Sequence, residues 1–235
     1  HWIRGMGLVP RLGAHTEDRH GYLAGTDADR AADLNAMFAD PEIRAIFAVR
    51  GGWGGARILP LLDWPAIRAN PKLLIGYSDT TALHCAIATR CGFPTLHAPN
   101  AASSWEKTSW DSLWRIAFAA DVPVLGGAAV EQAVGRPART LVEGTARGRL
   151  LGGNLTILST MMGTGWLPDF DGAVLFLEDI NEELGITILM VEHDMNLVSR
   201  ASNRVMALAD GALIAIGTPE EIQNHPEVLR AYLGD

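Results

Sequence analysis

Residues 71–84, PKLLIGYSDTTALH, decide the fold. Leu73-Leu74-Ile75 is a short apolar run with the character of a buried strand, Gly76 frees the backbone to turn, and Thr80-Thr81-Ala82-Leu83 begins a helical pattern. Ser78 therefore sits at a strand-to-helix turn. A nucleophile is useful there, because the hydroxyl stands clear of the strand while the backbone N–H of Asp79, near the positive end of the helix, can donate to a developing oxyanion. A second reading stays open: Ser and Asp cap helices, and GYSD is not the G-x-S-x-G pattern, so Ser78 also reads as an N-cap.

Upstream, Thr26 or Asp27 caps a helix whose apolar positions Ala31, Leu34, Met37 and Phe38 recur at helical spacing and which Asp40-Pro41 ends. Ile43 to Val49 reads as a strand and runs into Arg50-Gly51-Gly52-Trp53-Gly54-Gly55. Ligands bind at the C-terminal edge of parallel strands, and glycines there let backbone N–H groups approach a substrate. A helical stretch, Ala56 to Leu62, leads to the Ser78 strand, so both turns are expected on one edge of one sheet.

Downstream, Cys85 and Cys91 fall in one helix and its exit, without metal-ligand spacing, and read as core thiols, which fits a reducing compartment or one that does not depend on disulfides. Phe93 to His97 forms a short strand; nothing acidic lies near His97 in sequence, which favours a structural or substrate-lining role over a catalytic one. Trp105, Trp110 and Trp114 with Leu113 and Phe118 suggest a helix burying an aromatic face in the core. From residue 121 short strands and turns, including Thr140 to Leu151, indicate a β-rich second domain. Asn154 caps a following helix, and Ala173 to Leu177 is a buried strand ending in Glu178-Asp179, where the carboxylate reads equally as a cap or as a catalytic orienter.

The chain has 235 residues, 48% of them hydrophobic, and a formal net charge of −8. That size buries a full core, and the charge argues against a nucleic-acid surface and for a small-molecule or peptide partner. No apolar run is long enough to span a membrane. HWIRGMGLVP lacks an initiating Met and a signal-peptide core and reads as a cut-in start. The cytoplasm is the expected location, and no cofactor or metal is expected.

Taken together, residues from about 5 to 182 resemble the LD-carboxypeptidase family of serine peptidases, which includes the microcin C self-immunity enzymes. The likeness rests on GYLAGTDADRAADL, VRGGWGGARILPLLDW, NPKLLIGYSDTTALH, LLGGNLTIL and VLFLEDINE, in that order. The resemblance implies Ser78 as nucleophile, Glu178 as triad carboxylate, and oxyanion donors from Asp79 and from Gly52, with Gly51 allowed. Gly51, Trp53, Asn154 and His97 complete the set as substrate-lining candidates. The implied fold is α/β: a Rossmann- or flavodoxin-like nucleophile domain over 1–120, then a β-rich α+β domain over 121–235. The implied reaction cuts an L,D amide near the C-terminus of a peptidoglycan peptide.

Two departures from the family pattern follow. Its opening strand is absent before His1, which leaves one sheet edge unpaired. Its glycine-histidine motif, which supplies the triad base, does not follow Glu182. Residues 183–235 instead resemble the end of a branched-chain amino-acid ABC-transporter ATPase, with His193 in the place of the switch histidine and Asp210-Gly211 in a hairpin. The chain thus reads as a chimera joined near 181–185. No phosphate-binding loop accompanies that stretch, so ATP hydrolysis is not expected. His193, directly after the apolar run Ile186 to Val191, is the candidate replacement base; Asp194 is a second group that could orient it, and His225 is a poor candidate. Without a base the chain would be a peptide-binding scaffold or slow esterase. Apolar surface left by a missing strand and a foreign C-terminus predicts a homodimer.

Overall fold

The computed structural model describes residues 2–5, 7–121, 143–178, 205–209 and 212–233. By contacts the chain divides into two compact units, one spanning His1–Ala138 with Gly144–Ile180 and the other Arg139–Glu143 with Asn181–Asp235. The domain boundary expected near 121 differs from this division, because residues 144–180 pack into the first unit.

The first unit opens with a short helix, α1 (Trp2–Gly5), and then α2 (Asp27–Ala39). Thr26 caps α2 in a reciprocal box: the Asp29 N–H donates to Thr26 Oγ1 and the Thr26 N–H to the Asp29 carboxylate, satisfying two donors that the first turn leaves open. Its inner face buries Ala31, Leu34 and Phe38 of the predicted apolar set, while Met37 is only partly buried against the core. Strands β1 (Ala45–Phe47), β2 (Leu73–Gly76) and β3 (Leu96–His97) form a parallel sheet in that spatial order, with Phe47 opposite Ile75 and Gly76 opposite His97. Between β1 and β2 run α3 (Gly55–Ile58), a 3-10 turn (Leu59–Leu61) and α4 (Trp64–Ala69). The strand expected over 93–97 is shorter, since Pro94 has no N–H to give a ladder.

Helix α5 (Thr81–Arg90) leaves the Ser78 turn and is buried on nearly every side, at Thr81, Ala82, His84, Cys85, Ala86 and Ile87. Burial pushes the Cys85 thiol up to about 11, so it stays a neutral core group. A parallel pair, β4 (Leu150–Asn154) and β5 (Val174–Glu178), sets Asn154 opposite Glu178. The Thr81 hydroxyl accepts from the Asn154 N–H at 2.9 Å, bolting β4 to the start of α5. Asn154 then caps α7 (Leu155–Met161), whose Ile157, Leu158 and Met161 join the same core as Ile46, Leu74, Cys85 and Ile87.

Two sequence expectations are corrected. The tryptophan helix, α6 (Lys107–Leu113), passes into a π-helical stretch over Trp114–Phe118. Only Leu113 is buried; Trp114 and Phe118 stack on each other at 4.9 Å and are 46% and 40% exposed. The π stretch bonds the Ala119 N–H to the Trp114 carbonyl, five residues back, and its wider turn shifts the residues after Leu113 out of the α-helical register that the stripe assumes. Strand β5, expected to be buried, leaves Leu175 and Phe176 exposed, because among the described residues it pairs with β4 alone.

In the second unit, β6 (Val205–Ala209) and β7 (Ala212–Gly217) pair antiparallel; the hairpin read at Asp210-Gly211 lies outside the described residues. Helices α8 (Pro219–Gln223) and α9 (Pro226–Leu233) follow, α8 capped by Thr218 and Glu221. The strands read between 122 and 142 and the run Ile186 to Val191 with His193 and Asp194 also lie outside the described residues.

Phe38 is fully buried, so Phe38→Ala is expected to cost about 3–5 kcal/mol in denaturant unfolding. Gly153 has φ +137°, and a methyl group there would fall 2.4 Å from Thr81 Oγ1, so Gly153→Ala is expected to cost about 2 kcal/mol or more. A near-neutral result for either would contradict this packing.

Candidate active site

The backbone ahead of Ser78 is extended at Tyr77, then reverses: Ser78 has φ +61°, in the left-handed region that side chains other than glycine rarely adopt. A 3-10 turn, Ser78–Thr80, carries the chain into α5. The N-cap reading of Ser78 fails on this geometry, since a cap residue keeps β-region backbone and lends its oxygen to the first turn. Ser78 does neither; its hydroxyl has no hydrogen-bond partner among the described residues.

Such a conformation costs on the order of 1–3 kcal/mol and persists only where neighbours over-determine it. The Ser78 N–H donates to Glu178 Oε1 at 2.6 Å, reaching from the end of β4's partner strand β5. The Tyr77 N–H donates to the buried Asn100 side chain at 3.2 Å. The Asp79 carboxylate accepts from the N–H groups of Gly54 (3.3 Å) and Gly55 (2.7 Å), tying the serine turn to the glycine-rich turn. Both turns therefore share one sheet edge, as the sequence predicts. Gly51 lies so close that a Cβ there would stand 3.2 Å from Ser78 Oγ. The N–H groups of Gly52 and Asp79 are without partners among the described residues, which suits oxyanion donors. Trp53, in the same turn, is 48% exposed.

His97 lies beside Glu178. An acidic partner does reach it: its Nε2 stands 3.2 Å from Glu178 Oε2, across 81 residues of sequence. Asn154 is 4% exposed, and its side chain accepts from the Ile157 N–H at 3.0 Å, the capping role read from the sequence. Sequence reasoning passed over His84, Asn100 and the side chain of Asp79. Asn100 follows β3 as Asp79 follows β2, a position that could have marked both as edge residues. Helix α5 brings His84 under the turn, where Nε2–H donates to the Gly76 carbonyl at 2.9 Å and Nδ1 meets Thr95 Oγ1 at 2.8 Å. Burial lowers its pKa to about 4. Among the described residues no group of three His, Cys, Asp or Glu side chains is placed to hold a metal ion, and no helix is long and apolar enough to cross a membrane.

A half-buried serine in a strained turn at the edge of a parallel sheet places the chain in the α/β class. The comparisons narrow the class. The LD-carboxypeptidase N-terminal domain matches residues 1–98 and the LD-carboxypeptidase C-terminal domain residues 147–231, and the chain belongs to this family. A probable murein peptide carboxypeptidase of Bacillus subtilis is 37% identical over 182 residues, 77% of this chain and 56% of that protein. A murein tetrapeptide carboxypeptidase of Pseudomonas aeruginosa is 39% identical over 186 residues, 75% of this chain and 58% of that one. The solved structure of an MccF-like protein from Bacillus anthracis str. Ames aligns with a TM-score of 0.61 and 26% identity over 74% of this chain and 58% of its own. The chain thus spans little more than half the length of these curated relatives. The C-terminal domain match includes residues 183–231, the stretch likened above to a transporter ATPase, and that likeness finds no support in the comparisons.

His84 yields a pH prediction. Above pH 6.5 its imidazole is neutral folded or unfolded; below it the unfolded chain takes up a proton that the folded chain refuses until about pH 4. Stability should therefore fall between pH 6.5 and 4, by up to about 3 kcal/mol from this group. Chemical denaturation across that window should show a shallower decline in His84→Gln; identical slopes would contradict the assignment.

Proposed function

We propose that the chain is a serine-type carboxypeptidase that cuts an L,D amide near the free C-terminus of murein peptides. The observation that carries this reading is the left-handed backbone of Ser78, held by Glu178 with its hydroxyl unpartnered beside Gly51. In this account Ser78 Oγ attacks the scissile carbonyl, and the N–H groups of Asp79 and Gly52 receive the oxyanion. His193, outside the described residues, takes the hydroxyl proton and returns it to the departing D-amino acid; Glu178 fixes the histidine tautomer. Water then hydrolyses the acyl-enzyme. The relatives' murein peptide carboxypeptidase names support the substrate class.

The second reading is a peptide-binding scaffold in which Ser78 has no base. A chain lacking that base would bind the peptide without appreciable turnover. The proposal also includes a cytoplasmic homodimer, which a monodisperse monomer in light scattering at micromolar concentration would contradict.

The discriminating experiment is D-alanine release from an L,D-tetrapeptide by the intact chain, Ser78→Ala and His193→Ala, each verified as folded. Turnover by the intact chain that drops about a thousandfold or more in both variants is the expected result. If the intact chain is no faster than Ser78→Ala, while peptide still raises its melting temperature, the binding reading replaces the enzymatic one.

A further inference from the structure

We infer that His97 is a positioning residue for the serine turn, acting through Glu178 and not on the substrate; the inference rests on the peptidase reading above. The two oxygens of Glu178 are divided between two donors. Oε1 takes the Ser78 N–H at 2.6 Å and Oε2 faces His97 Nε2 at 3.2 Å. A carboxylate only accepts, so Nε2 carries a proton in this contact. The ring cannot swing away easily. Phe176, two residues before Glu178 on the same face of β5, meets it edge-on at 4.9 Å, Tyr77 meets it at 6.4 Å, and His84 lies 5.9 Å off. Its other nitrogen, Nδ1, is buried without a partner among the described residues.

The register of the sheet explains why a histidine stands here. Gly76 pairs with His97, so the last residue of β3 lies beside the strand that delivers Ser78. A glutamate has several rotatable bonds, and holding its carboxylate under one N–H costs side-chain entropy. A ring packed on three sides and bonded to the second oxygen removes most of that freedom before substrate arrives. His97 makes no hydrogen bond to Ser78 Oγ, which separates it from a general base. About two acceptor sites of the carboxylate remain for the triad histidine.

The test compares the unmodified chain with His97→Ala and His97→Gln, whose amide can still donate to Glu178, all matched for thermal unfolding. With tetrapeptide, His97→Ala should lose about 10- to 100-fold in kcat with little change in KM, and His97→Gln should recover most of the loss. Equal loss in both variants to the level of Ser78→Ala would make His97 the base and overturn the positioning role, as would an unchanged kcat in His97→Ala. Hydrogen exchange at the Ser78 amide decides the matter even if the unmodified chain proves inactive, a result that would defeat only the peptidase reading. Protection should fall at least about tenfold in His97→Ala and return in His97→Gln. Protection unaltered in His97→Ala would overturn the inference.

Discussion

A single hydrogen bond, from the Ser78 N–H to the carboxylate of Glu178, is the constraint on which the site depends. Ser78 occupies backbone space that an L-residue enters at a cost, and a charge-assisted bond of 2.6 Å offsets that cost at the strained residue itself. The conformation turns the side chain out of the strand line. A serine in ordinary extended backbone would continue β2 and lose the approach to the glycine-rich turn.

The surrounding elements serve this constraint. Glu178 reaches the turn because β5 pairs in register with β4, and β4 is fixed to the first residue of α5 through Thr81. Asp79 holds the glycine turn against the serine turn, and Asn100 holds the backbone one residue before Ser78. His84 pins the last carbonyl of β2 from below. Strands β2, β3 and β5 and helix α5 thus converge on one residue, and the common core of α5 and α7 keeps them together.

Much of this was legible in the sequence because the signals are local. Gly76 between an apolar run and a helical pattern announces a turn, Thr26 and Asn154 announce caps, and six residues with four glycines after a strand announce an open edge. The pairing of His97 with Glu178 was hidden for the opposite reason: its partners lie 81 residues apart, on strands of two separate sheets. The left-handed backbone of Ser78 was likewise invisible, since serine carries no preference for it and the cause lies in a distant carboxylate. Trp114 and Phe118 misled because helical spacing assumes an α-turn, which the π-helical stretch breaks.

The most direct measurement is covalent labelling with a fluorophosphonate, which phosphonylates an activated serine hydroxyl and expels fluoride. The account predicts that peptide mapping finds the label on Ser78 of the intact chain, and that the labelling rate falls at least about tenfold in folded Glu178→Ala. Label on other residues, or equal rates at Ser78 with and without Glu178, would contradict it.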